Sequence, residues 1–286
     1  MLPGSRAVVG RFVPGPGLDD AVRVSRELTA KGLHVSLDHL GEDVTELTQV
    51  AGNVEAYKVL LAALGDGGLA DRVEVSVKLT ALGLDLDRSR ALDAAHQIAA
   101  AAAQAGTTVT VDMEDHTRTD ATLDAVAALR RDHPDVGAVV QAYLHRTEAD
   151  CRGLAGAGSR VRLCKGAYDE PISVAYQSKE DVDSSYLRCL AVLMEGEGYP
   201  MVATHDPLLL EAAGRLVAAT GRGTHDYEFQ LLYGVRPDEQ TRLAHTGATV
   251  RIYTPYGQEW YGYLMRRLAE RPANVRFFLR ALTSRS

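Results

Sequence analysis

Tyr263, Arg266, Arg267 and Glu270 recur at i, i+3, i+4 and i+7, the spacing that gathers side chains on one face of a helix. Two neighbouring guanidiniums beside a tyrosine suit a core poorly, yet they match the planar fork of a small carboxylate or a phosphate. The competing reading is a solvated arginine pair bridged to Glu270, which would contribute little. Upstream, the β-branched run Thr249-Val250-Arg251-Ile252-Tyr253 predicts a strand that Pro255 and Gly257 end before the helix begins.

Other groups able to do chemistry stand just after β-branched runs. Lys78 is an anion anchor, a Schiff-base nucleophile or a lysine reaching the rim. Asp112 can orient a cation such as Arg266 or Lys78, act as a general base, or cap a helix, although Asp115 and Thr117 are better placed to cap. Arg162 and Lys165 beside Gly166 suit a phosphate, a pyrophosphate or the electron-rich end of a flavin ring. Arg162 reads alternatively as an interior charge paired to a carboxylate such as Glu228. His205, in Ala203-Thr204-His205-Asp206-Pro207, reads equally as a ligand contact or a structural residue. The nine histidines form neither His-x-His nor His-Glu-x-x-His, and there is no Walker A loop and no Gly-x-Ser-x-Gly elbow. Metallohydrolase, nucleotide-hydrolysing and serine acyl-transfer chemistries therefore find no support.

The elements that must position these groups alternate along the chain. Candidate strands are His34–Asp38, Val73–Lys78, Thr108–Asp112, Ala138–Gln141, Val161–Cys164, Met201–Thr204, Tyr227–Gln230 and Val250–Tyr253. Plausible helices follow, such as Ala91–Gln104 and Ala121–Arg131, and one from Asp19 to Ala30 precedes the first strand. Eight strand–helix units predict an α/β fold of the (β/α)8 TIM-barrel type. An open doubly wound sheet lacks its usual Gly-x-Gly-x-x-Gly turn here. No linker or composition shift divides residues 1–286, so one domain with an N-terminal helix and a C-terminal helical tail is expected. Barrel enzymes keep their chemistry at the C-terminal strand ends, here Asp38, Lys78, Asp112, Gln141, Lys165, Thr204 with His205, Gln230 and Tyr253. A merely wet rim is the competing reading of that polar set.

Composition bounds the rest. A hydrophobic fraction of 46% supports a sizeable core, and a net charge of -7 gives no support to a nucleic-acid partner. Cys151, Cys164 and Cys189 form no Cys-x-x-Cys, and Met1-Leu2-Pro3-Gly4 opens without a signal-peptide pattern, so reduced intracellular thiols are expected. The longest apolar stretch, Ile98–Ala103, is too short to span a bilayer, which predicts a soluble, cytoplasmic protein. The tail from Asn274 to Ser286 reads as a basic amphipathic helix, either docked on the barrel or touching anionic lipid at the inner face of the membrane.

Taken together, several blocks resemble the proline dehydrogenase family in its compact bacterial form. They are Ser76-Val77-Lys78-Leu79-Thr80-Ala81-Leu82, Asp112-Met113-Glu114, Val140-Gln141-Ala142-Tyr143, Arg162-Leu163-Cys164-Lys165-Gly166-Ala167-Tyr168, Ala203-Thr204-His205, Glu228-Phe229-Gln230-Leu231-Leu232-Tyr233-Gly234 and the segment 253–270. The resemblance implies a barrel enzyme that oxidises L-proline with non-covalent FAD, passes electrons to a quinone, and releases a product for a pyrroline-5-carboxylate dehydrogenase. It implies flavin contacts from Gln141, Arg162, Lys165, Gly166, Ala167, Thr204 and His205. It implies a carboxylate grip by Lys78, Arg266 and Arg267, a cation held by Asp112, and a ring wall of Tyr168, Leu232, Tyr253 and Tyr263. Tyr253 resembles enzymes for proline rather than hydroxyproline, whose hydroxyl it would crowd. Asp169 and Asp206 depart from residues found in some relatives. Two other functions remain open from the residues alone: a Schiff-base aldolase on Lys78 or Lys165, and a silent barrel that only binds an amino acid.

Overall fold

A computed structural model describes residues 9–41 and 44–269, with 266–269 as backbone alone. Eight parallel strands close on themselves in sequence order. They are β1 (His34–His39), β2 (Val73–Val77), β3 (Val109–Val111), β4 (Gly137–Gln141), β5 (Arg160–Cys164), β6 (Tyr199–Ala203), β7 (Glu228–Leu232) and β8 (Thr249–Tyr256). The expected (β/α)8 barrel is the observed one, and helices cover its outer face.

The helices are α1 (Leu18–Thr29), α2 (Leu47–Asp66), α3 (Arg88–Ala105), α4 (Thr119–Leu129), α5 (Thr147–Leu154), α6 (Lys179–Glu195), α7 (Pro207–Thr220), α8 (Pro237–His245) and α9 (Trp260–Ala269). Their starts follow local chemistry. Asp87 accepts from the Ser89 and Arg90 amides at the head of α3, and Ser178 and Asp206 do the same for α6 and α7. Asp19 and Asp20 sit in the first turn of α1, where the helix dipole favours them. Two short 3-10 turns, Thr80–Leu82 and His116–Arg118, intervene after β2 and β3; hydrophobic periodicity carries no signal for such brief turns.

One boundary differs in a way that matters. Pro255 does not end β8: Asp38 pairs with Pro255 and His39 with Tyr256, and the Leu40 amide donates to the Tyr256 carbonyl at 2.8 Å. A proline removes only its own donor, and the neighbouring residues carry the ladder past it. The seam between the first and last strands is thus the longest in the barrel, at six residue pairs.

A second, smaller apolar cluster covers part of the mouth. Phe12 and Val13 pack with Leu40, Tyr263 and Leu264, and Tyr253 lies against them. Gly234, at φ 72°, lets residues 9–13 approach, since a Cβ there would overlap the Arg11 carbonyl. Cys151 and Cys189 are buried, and Cys164 is half-buried. Among the described residues no helix is long and apolar enough to cross a membrane. Glu270 and the amphipathic tail lie outside the described residues.

Candidate active site

Strand alternation decides what faces the barrel axis. Val73, Val75 and Val77 of β2 join the main apolar core, so Glu74, Ser76 and the following Lys78 turn inward. The same parity brings in Ser36 and Asp38 from β1, Thr110 and Asp112 from β3, Arg160 and Arg162 from β5, Glu228 and Gln230 from β7, and Arg251 and Tyr253 from β8. Barrel interiors are usually layers of branched apolar residues. This one is largely polar, with Val139, Met201 and Ala203 as apolar exceptions, and its upper layer floors a cavity of about 440 Å³ at the C-terminal strand ends.

Every residue expected at the site whose side chain is described lines that cavity. Lys78, Asp112, Tyr168, Leu232, Tyr253 and Tyr263 are there, with Gln141, Arg162, Lys165, Gly166, Ala167, Thr204 and His205. Arg266 and Arg267 lie on α9, one turn beyond Tyr263, but their side chains fall outside the described residues.

The floor is a network of short polar contacts. The Lys78 ammonium lies 2.7 Å from Asp38 Oδ2 and 3.7 Å from Asp112 Oδ2. The Tyr253 hydroxyl lies 2.7 Å from each of the same two carboxylate oxygens. Burial, followed by the Asp112 and Asp38 charges, pushes this phenol well above its ordinary pKa, so Tyr253 keeps its proton. Arg162, only 4% exposed, donates to Asp112 Oδ1 and to Gln230 Oε1, each at 2.5 Å. Its guanidinium carbon stands 5.2 Å from the centre of the Tyr253 ring.

Two sequence expectations need correction here. Arg162 is an interior, paired charge, but its partner is not Glu228. Glu228 is held by two hydrogen bonds from Arg251, at 2.8 and 3.0 Å, while Arg162 reaches Asp112 and, at 3.5 Å, Glu74. Asp112 orients a cation as expected, yet the closer cation is Arg162 rather than Lys78. Asp115 accepts from the Thr117 amide at 2.9 Å and so takes the capping role assigned to that stretch.

The loop walls are fixed by backbone chemistry. Gln141 donates to the Glu114 carbonyl at 2.8 Å. His205 Nε2 accepts from the Leu232 amide at 2.9 Å, which leaves the ring proton to Nδ1. The His205 carbonyl accepts from Arg236 at 2.6 Å, and Arg236 holds a left-handed conformation at φ 52° to make that bond. Lys165 is paired to Asp206 at 3.0 Å and also to Asp183, while Lys179 lies 3.3 Å from Asp206. Asp206 therefore holds the rim cations as well as capping α7. Burial opposes its charge, but the Lys165 hydrogen bond and charge prevail and bring its pKa down to about 2.

Gly166 sits at φ 118°, and a Cβ there would overlap the ring of Tyr143. Gly166→Ala is expected to cost roughly 1–3 kcal/mol from backbone strain and displace the loop that carries Ala167 and Tyr168. A thermal melt matching the parent protein's would contradict this packing.

Sequence reasoning placed Asp38 at a strand end without giving it a role, although its position was the available signal. Lys179 carried no such signal, because it reaches the cavity from the start of a helix rather than from a strand. Glu74 was hidden for another reason: a buried charge within a β-branched run reads as an ordinary break in alternation.

Comparison with known proteins is consistent along the whole chain. A family model described as Proline dehydrogenase matches residues 21–280. Proline dehydrogenase 2 of Bacillus subtilis (strain 168) is 37% identical over 99% of this chain and 92% of its own length. Proline dehydrogenase of Deinococcus radiodurans is 37% identical over 95% of this chain and 89% of its own. The chain spans only 23% of the bifunctional protein PutA of Escherichia coli (strain K12), to which it is 29% identical over 93% of its residues. Among solved structures, proline utilization A of Bradyrhizobium japonicum superposes with a TM-score of 0.77 at 26% identity, over 96% of this chain and 32% of that one. The corresponding protein of Bdellovibrio bacteriovorus reaches a TM-score of 0.85 at 24% identity, over 92% of this chain and 32% of that one, and speaks to the fold alone. With the match running through every strand that lines the cavity, the chain belongs to the proline dehydrogenase family.

Proposed function

We propose that this barrel oxidises L-proline to Δ1-pyrroline-5-carboxylate with non-covalently bound FAD, and that the electrons leave to a quinone. The observation that carries the reading is the cavity floor, where one ammonium, one guanidinium, two carboxylates and a protonated tyrosine converge under apolar walls such as Leu231 and Val139. A proline offers a carboxylate, a ring amine and an aliphatic ring, and the site has a counterpart to each.

The donor set suits the cofactor. Arg162 on the floor and Lys165 and Lys179 at the rim supply positive charge, while Thr204, His205 and the Gly166–Ala167 backbone supply neutral contacts. The bound flavin would supply a hydride acceptor for the substrate's ring carbon beside nitrogen. Gln141, Arg162, Lys165, Gly166, Ala167, Thr204 and His205 hold that group in this reading. Lys78, with Arg266 and Arg267 from α9, grips the substrate carboxylate in this reading; Asp38 and the Tyr253 hydroxyl, both accepting from its ammonium, hold it at the cavity floor. Tyr168, Leu232, Tyr253 and Tyr263 confine the ring, and the pinned Tyr253 leaves a ring hydroxyl little room. The same proposal takes in a quinone acceptor, a peripheral contact with the membrane and a separate downstream dehydrogenase for the product.

A Schiff-base aldolase fits less well. Its lysine must be free to attack a carbonyl, whereas Lys78 is ion-paired to Asp38 and Lys165 to Asp206 and Asp183. The test is a visible spectrum of the purified protein after FAD loading. Flavin bands that bleach on anaerobic addition of L-proline, with turnover restored by a dye acceptor, are expected. A colourless protein trapped on its substrate by borohydride would overturn the assignment.

A further inference from the structure

Beneath the cavity floor the barrel interior holds a second layer of charge, and none of it is needed to touch a ligand. Glu74 is 1% exposed and does not line the cavity. It accepts from Arg160 Nη2 at 2.7 Å and from Thr110 Oγ1 at 3.1 Å, and it lies 3.5 Å from Arg162 and 3.8 Å from Arg251. Burial opposes its charge, but Arg251, Arg160 and Arg162 prevail and bring its pKa down to about 2. Glu228, the other carboxylate of this layer, is engaged by Arg251 and by Gln230. Three guanidiniums are therefore matched by Glu74, Glu228 and, from the layer above, Asp112. Arg162 is the member shared between the layers: one end meets Asp112 at the cavity and the other faces Glu74.

Charges in so poorly solvated a column act over longer distances than they would in water. Reducing a flavin adds electron density to its ring, so the net charge below the ring biases the couple. Removing Glu74 would leave the column one positive charge in excess without removing any group that lines the cavity. We infer that Glu74 is a positioning and charge-balancing residue that fixes the Arg162 head group and holds down the reduction potential of the flavin above it. The inference rests on the flavin assignment made above.

The test is a potentiometric titration of the holoenzyme with redox dyes, accompanied by flavin content and a thermal melt. Glu74→Gln keeps the side chain's size and should raise the flavin potential. Glu74→Gln with Arg160→Gln restores the charge balance and should return the potential towards the parent value, which a merely structural role for Glu74 would not do. Arg160→Gln alone should lower the potential, and it carries the test if Glu74→Gln does not fold. A Glu74→Gln protein that retains flavin at an unchanged potential would overturn the inference, as would a double variant displaced as far as the single one. A parent protein that takes up no flavin would overturn the functional assignment as well, so the two failures are distinguishable.

Discussion

Arg162→Ala is expected to strip the enzyme of flavin and to destabilise the fold by about 3–5 kcal/mol, the range for breaking a buried ion pair from one side. The variant would leave Asp112 without its 2.5 Å partner, Gln230 without its donor, and Glu74 with one cation fewer. Arg162→Lys keeps the charge but loses the planar fork that reaches Asp112 and Gln230 together, so recovery should be partial. Flavin-to-protein absorbance ratios and a thermal melt read both effects. A variant that retains full flavin and melts like the parent would remove Arg162 from the cofactor site.

Lys78→Met should act on the substrate instead. A charge-assisted hydrogen bond is worth about 1.5–3 kcal/mol, so the apparent KM for proline should rise roughly 10- to 150-fold while flavin stays bound. Stability should fall too, because Asp38 loses an ammonium at 2.7 Å in a site where it is 1% exposed. Steady-state turnover with a dye acceptor across a proline series measures the first effect. An unchanged KM would assign Lys78 to the fold alone. The contrast between the two variants, one losing cofactor and the other losing substrate affinity, tests the division of the cavity that the proposed function requires.

The alternation of β-branched runs with helical stretches makes the barrel legible in the sequence, because parallel strands covered on both faces must be rich in such residues. Strand ends are legible for the same reason: Lys78, Asp112 and Gln141 each follow or close an apolar run. What eludes the sequence is pairing. Asp38 meets Lys78 across 40 residues and Tyr253 across 215, and Arg162 finds Asp112 at a separation of 50. Charge type and spacing along one strand cannot rank such partners; barrel closure decides them, and Glu228, a candidate partner for Arg162, is instead taken by the side chain of Arg251, which lies two residues past Thr249, the register partner of Glu228. Pro255 misleads for a related reason, since the strand it was expected to end is sustained by its neighbour β1.

The β1–β8 seam has a consequence for how the working molecule comes into being. Asp38 is made early and Tyr253 late, and their hydroxyl–carboxylate bond exists only once the two ends of the ribbon have met. A nascent chain emerging from the ribosome can collapse its early βα units, but it cannot own a complete reaction chamber until translation has passed β8. A product that stops short of β8 thereby lacks both the closing strand of the barrel and the Tyr253 contact to Asp38.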